Sequence, residues 1–173
     1  MKFIAYLFFN LLNRFFVPYR LASLEKKIRQ FKNFFLKKNM GFVGKNANVR
    51  PYVKLSYLEN ISIGMNSSIG DRSWIIAADK VIIGNDVLMG PEVMIFTQNH
   101  EITNTNTKLI NGGTIKKPVL IEDDCWIGAR VIILPGAHIK SGTVIAAGSV
   151  VPGKEFPRNV VIGGNPAKVI KER

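Results

Sequence analysis

From residue 43 onward, large aliphatic residues return at every sixth position. They run Val43, Val49, Leu55, Ile61, then Ile63, Ile69, Ile75, Val81, then Ile83, Met89, Ile95. After a gap the series resumes at Ile121, Ile127, Ile133, Ile139, Ile145 and Val151. A helix repeats its apolar face every 3.6 residues and a half-buried strand every two, so neither accounts for a period of six. A short fixed period with aliphatic punctuation predicts a solenoid of β coils stacked one on another. The register slips by two after Ile61 and again after Val81, so the first blocks repeat every 20 residues. Three flat faces per turn, forming a triangular prism, satisfy that spacing. Position two of the hexad is often glycine (Gly64, Gly70, Gly84, Gly90, Gly128), where the chain is expected to bend at a corner. Position five favours small or branched residues, among them Ser67, Ser73, Val93, Thr143 and Ser149, which fit a narrow corner interior. Cys125, the sole cysteine, occupies that same slot and reads as packing rather than as a nucleophile.

Charge divides the chain in two. Lys and Arg number 24 against 12 Asp and Glu, a net +12 over 173 residues. Residues 1–40 carry nine of those cations and one acid, so this segment holds +8 and the remainder +4. Residues 1–17 are apolar and aromatic, yet interrupted by Lys2, Asn10, Asn13 and Arg14, and Pro18 follows. A spanning helix needs roughly 20 apolar residues, and no small-residue cleavage site of a secretory signal follows. Leu21, Leu24, Ile28, Phe31 and Phe35 then form a helical stripe, with Lys26, Lys27, Arg29, Lys32, Lys37 and Lys38 over much of the remaining surface. Two readings stand: helices packed on the body or on a neighbouring subunit, or helices lying in a bilayer interface with cations on anionic headgroups. Nucleic acid is excluded as a partner, because no binding motif accompanies the basic residues. One Cys and two His exclude a disulfide, a thiolate cluster and a three-imidazole metal site within one chain.

The hexads carry further motifs: Cys125-Trp126-Ile127-Gly128, Leu134-Pro135-Gly136, Ala147-Gly148-Ser149-Val150-Val151 and Gly163-Gly164-Asn165-Pro166-Ala167-Lys168-Val169-Ile170. This succession resembles the hexapeptide-repeat acyltransferase superfamily, in its maltose and galactoside O-acetyltransferase branch, close to O-acetyltransferases of polysaccharide biosynthesis. The resemblance implies an all-β solenoid, a left-handed parallel β-helix, over residues 41–171. Residues 1–40 form a separate basic helical segment, which departs from the start of the maltose-type enzymes. General crossover rules favour the right hand, so handedness rests on the resemblance.

Residues 96–118 abandon the hexad and are polar, which makes them one long protruding loop. Within it, Thr97-Gln98-Asn99-His100 matches the family's catalytic histidine position. The resemblance makes His100 the general base: imidazole titrates near neutrality and can take a proton from a sugar hydroxyl or an amine. The freed oxygen or nitrogen then attacks an acetyl thioester, already activated, so no enzyme nucleophile is required. Glu92 and Glu101 are candidates to orient the imidazole. Substrate contacts are expected from Asn99, from Asp86 and from Trp126. The family carries an Asn at the position aligned with Asp86, and Asn85-Asp86 is swapped in order, so a turn role for Asp86 stands beside the contact.

Acetyl-coenzyme A is the implied co-substrate, with no metal required. In the family its pantetheine arm runs between two prisms near positions matching Ala129 and Ala147, which implies a homotrimer with shared sites. Lys168 and Lys171 stand where galactoside-type relatives carry Arg, so their phosphate contacts would be point-charge contacts. Lys154 is a further cation for the phosphates. His138 falls at an outward hexad position and reads as surface.

Among rival classes, a γ-type carbonic anhydrase needs three zinc-binding histidines, and a nucleotidyltransferase needs an additional domain. The expected activity is O-acetyl transfer to a saccharide, of a surface polysaccharide or lipid-linked glycan. The alternative is N-acetyl transfer to an amino sugar or to an antibiotic. The expected location is cytoplasmic, with residues 1–38 available for peripheral contact with the inner membrane face.

Overall fold

The computed structural model describes residues 2–14 and 22–173. Two helices, α1 (Lys2–Leu12) and α2 (Ala22–Leu36), precede six coils of a left-handed parallel β-helix. The first face stacks Phe42–Val43, Ile61–Ile63, Val81–Ile83, Val119–Ile121, His138–Ile139 and Glu155–Phe156. The second includes Leu88–Met89, Trp126–Ile127, Val144–Ile145 and the antiparallel ending Val160–Gly164 and Ala167–Glu172. The third stacks Lys54–Ser56, Trp74–Ile76, Met94–Phe96, Ile132–Ile133 and Val150–Val151.

Every aliphatic of the six-residue series is buried, and Ile61, Ile69, Ile75, Ile127 and Ile133 are fully so. Polar residues in the corner slot are satisfied by the next coil. Ser67 Oγ donates to the Gly84 carbonyl at 2.6 Å and accepts the Val87 N–H at 3.0 Å. Cys125 is buried among them, and desolvation pushes its thiol up to about 11, away from thiolate chemistry.

The glycines act differently from the expectation. Gly64 and Gly70 do not have left-handed φ; a Cβ on either would run into the backbone of Gly84 or Gly90 in the next coil. They permit close stacking of coils rather than a bend. Left-handed positions include Asn46, Asn66, Asp86 and Asp124 at the first corner, and Tyr52, Arg72, Glu92 and Arg130 at the second. At each of these except the two in the first coil, the N–H donates back to the preceding coil, as Arg72 does to Pro51 O at 3.0 Å and Arg130 to Pro91 O at 2.9 Å. That bond offsets the local cost of φ > 0 in a residue with a side chain.

The helices close the open end of the stack. Coil N–H groups donate toward the following coil, as Asn48 does to Ser67 O, which leaves carbonyls of the first coil without a coil above them. Donors from the cap fill that role: Asn33 Nδ2 to Ala47 O at 2.7 Å, Lys32 Nζ to Val49 O at 2.5 Å and Asn13 Nδ2 to Val53 O at 3.1 Å. Phe9, Leu36 and Met40 seal the core beneath them. This arrangement corrects the expected helical stripe. Lys32, read as surface, is buried, and its ammonium is lowered to about 8 by desolvation and then by Arg50, against the opposing pull of Glu25 and Asp71. Leu24 and Phe31, read as packing residues, are about half exposed, and Leu21 lies outside the described residues. The need to satisfy first-coil carbonyls outweighed the apolar periodicity.

Candidate active site at the third corner

The chain leaves the coil where the third face would turn back to the first. Thr97 holds the base of this excursion: its buried hydroxyl accepts the Asp79 N–H at 2.8 Å and donates to Ile76 O at 3.2 Å, and its carbonyl accepts the Lys117 N–H at 2.9 Å. Above that clasp, strand Gln98–His100 pairs antiparallel with Thr114–Lys116, placing His100 opposite Thr114. His100 is exposed, at the wall of a cavity of about 190 Å³ that Asn99, Glu101, Ile115, Lys117 and Pro135 also line. Ile115, Lys117 and Pro135 escaped sequence reading, because the first two enter from the returning limb of the loop and Pro135 from the next coil.

Neither candidate carboxylate orients the imidazole. Glu92 is engaged by Arg130, Nε to Oε2 at 2.8 Å. Glu101 accepts the Thr103 N–H at 2.7 Å and the Thr103 hydroxyl at 2.6 Å, which holds its carboxyl below the usual range. Among the described residues no side chain of the same chain hydrogen-bonds the His100 ring.

Asp86 lies on the first corner, at the far edge of the first face from His100. Its φ is 56°, and its Oδ1 accepts from Asn66 Nδ2 at 2.9 Å, one rung of an amide ladder that continues to Asn46. That is the turn role. Trp126 is on a strand of the second face, 56% exposed, between Leu88 and Val144 in register. Lys171 continues the same face through Val161, and Lys168 pairs opposite Gly163; both are exposed.

Ala129 and Ala147 stack on the second corner, each just before its left-handed residue. In the earlier coils that position is Pro51, Asp71 and Pro91, the register being fixed by the N–H bonds between coils. Two prolines show that the fold has no use for an N–H there. The amides of Ala129 and Ala147 are unpaired among the described residues. They fit a ligand with carbonyl acceptors laid along the prism edge.

Apart from Asp86 on the first corner, the sequence-identified residues fall on two edges. His100 and Asn99 share the third corner with Lys154, whose coil follows that of Pro135 and whose ammonium lies 5.1 Å from the Phe156 ring. Trp126, Ala129, Ala147, Lys168 and Lys171 lie on the second face and second corner. The width of the third face separates the groups, about 15 Å at 3.3 Å per residue. A single chain does not bring them together.

His138 stands outside both groups, clasped between Glu122 (Nε2 to Oε1, 2.7 Å) and Glu155 (Nδ1 to Oε2, 3.3 Å) on the first face. Bonds from Ser141 and His138 hold the Glu122 carboxyl down at about 2. Among the described residues, no three or more His, Cys, Asp or Glu gather closely enough to share a metal ion.

A stacked prism whose one long loop carries an exposed histidine defines a class of transferase, and the comparisons agree. A family model described as bacterial transferase hexapeptide (six repeats) matches residues 118–153. The chain is 39% identical to the galactoside O-acetyltransferase of Escherichia coli K12 over 151 residues, 87% of this chain and 70% of that protein. It is 32% identical to the putative colanic acid biosynthesis acetyltransferase WcaF of the same organism, over 83% of this chain and 76% of that one. A solved galactoside acetyltransferase in complex with coenzyme A superposes with a TM-score of 0.79 at 31% identity, covering 99% of this chain and 80% of that one. The chain belongs to the hexapeptide-repeat acetyltransferases. Within them its likeness is to the galactoside, maltose and colanic-acid branch.

Proposed function

We propose that this enzyme transfers acetyl from acetyl-coenzyme A to a hydroxyl of a saccharide, with His100 as general base, in a homotrimer whose sites lie between chains. The observation that carries the reading is the placement of His100, held by the Thr97 clasp at a cavity on the prism edge. A neutral imidazole nitrogen there accepts the acceptor's proton and returns it to the departing sulfur. The thioester supplies an acyl group already activated for attack. Ala129 and Ala147 would hold the pantetheine arm by their unpaired N–H groups, and Lys168, Lys171 and Lys154 would meet the phosphates. Trp126 would flank the acyl path, and Asn99, beside His100, would contact the acceptor. Two parallel prisms set side by side bring the third corner of one chain against the second corner of its neighbour, which reunites the two groups. Among the described residues no side chain of the same chain orients the imidazole, and a neighbouring chain or the acceptor would supply one. The acceptor fits a surface polysaccharide or lipid-linked glycan precursor, modified on the cytoplasmic side, where acetyl-coenzyme A is made.

The test is coenzyme A release across free sugars, nucleotide sugars and lipid-linked oligosaccharides, with mass in solution measured alongside. O-acetylated saccharide from a trimer is expected. Turnover confined to amino sugars or aminoglycosides would move the reading to N-acetyl transfer, and a fully active monomer would overturn the shared site.

A further inference from the structure

The cap that closes the prism uses only one side of each helix. On α1, Phe9 and Asn13 face the coil, while Ile4, Leu7, Phe8 and Leu11, at helical spacing on the opposite side, are 48–58% exposed. On α2, Lys32, Leu36 and Met40 just beyond it face inward, while Leu24, Phe31 and Phe34 are 46–54% exposed. Phe8 stacks on Phe35 at 5.5 Å, and Phe35 meets Phe31 and Phe34 edge-on, so the two helices present one continuous aromatic surface. Monomeric proteins rarely leave so contiguous an apolar patch in water.

Cations are interleaved with it. Lys38 Nζ lies 4.5 Å from the Phe34 ring centre, and Lys27 and Gln30 line a shallow cavity with Phe31 and Phe34. Lys26 and Lys37 flank the same surface, fully in solvent. The one acid of this segment, Glu25, leans inward toward Arg50 at 3.8 Å. An apolar face ringed by lysines and free of acids complements anionic headgroups over acyl chains. A second copy of the same face would instead set these lysines against their own kind. The patch also lies at the end of the prism, clear of the flanks that side-by-side coils would use. No helix among the described residues is long and apolar enough to cross a membrane.

We propose that the outward face of α1 and α2 is a docking surface for a bilayer containing anionic lipid. Phe31, Phe34 and Leu7 enter the acyl boundary while Lys27 and Lys38 reach the headgroups. Binding is independent of the acetyl-transfer reading. If the enzyme is a trimer, rotation about its axis places all three caps on one end, and the attachment becomes multivalent.

The full chain would be sedimented with phosphatidylcholine vesicles with and without phosphatidylglycerol, at low and raised salt. The expected result is at least tenfold stronger binding to the anionic vesicles, weakened by salt and by Lys27→Gln with Lys38→Gln. Phe31→Glu with Phe34→Glu should abolish binding without unfolding, since both side chains are about half exposed and outside the buried core; an unchanged circular dichroism spectrum checks this. Equal binding of that variant, absence of binding to anionic vesicles, or a change in its oligomeric mass, which would mark the face as a contact between copies, would each overturn the proposal.

Discussion

The coils and the loop that leaves them solve opposite problems. In the coils each residue is determined by the one a turn away: aliphatics meet aliphatics, Ser67 bonds Gly84 O and the Val87 N–H, and Gly64 clears the backbone of Gly84. The loop has no such neighbours. At its base stand one buried threonine and a three-pair ladder, and His100 on that ladder is exposed. The repeat supplies rigidity, and the interruption carries an exposed histidine held at one end by that rigidity.

The two regions should therefore fail in different ways under substitution. His100→Ala should lower kcat about 10²–10⁴-fold, the range for a general base, with the thermal midpoint unchanged. A loss of stability of comparable size would show that the loop is part of the core. Ile133→Ala in the coils should reverse that pattern. A fully buried isoleucine loses about 2–5 kcal/mol on truncation, so chemical denaturation should show a large loss while surviving protein turns over normally.

Ala129→Pro tests the second corner. Proline already occupies this turn position in two coils, so stability should hold within about 1 kcal/mol, while KM for acetyl-coenzyme A rises several-fold through the lost N–H. An unchanged KM would remove the amide from the cofactor's path.

The smallest effect concerns the cap. Lys32 is lowered to about 8 from 10.5, so the unfolded chain binds more protons between those values, and this residue's penalty is full below about 8 and fades as pH rises toward 10.5. Relative to Lys32→Met, the wild type should gain stability from pH 7 to pH 10, read as a shift in the difference of thermal midpoints. A pH-independent difference would contradict the burial of its charge.

The coils were legible because a solenoid writes its contacts into a fixed spacing: each aliphatic from Val43 to Val151 in the six-residue series is buried where its phase put it. His100 is marked by two things together, a histidine where the spacing stops and a match to the family's histidine position. What escaped were consequences of three-dimensional closure. The burial of Lys32 follows from unpaired carbonyls at the end of the stack, which apolar periodicity does not encode. Lys117 and Pro135 reach the cavity from a returning strand and a later coil. The sequence leaves Asp86 as a contact or a turn residue, and its side-chain ladder with Asn66 and Asn46 places it at a corner.

The division of the site over two edges is the central claim, and mixing inactive chains tests it most directly. His100→Ala and a Lys168→Glu, Lys171→Glu chain would be assembled separately and together, then assayed for acetyl transfer. Each alone should be nearly inactive, while the mixture should recover activity at interfaces pairing an intact His100 edge with an intact lysine edge. A mixture no more active than its components would contradict the account.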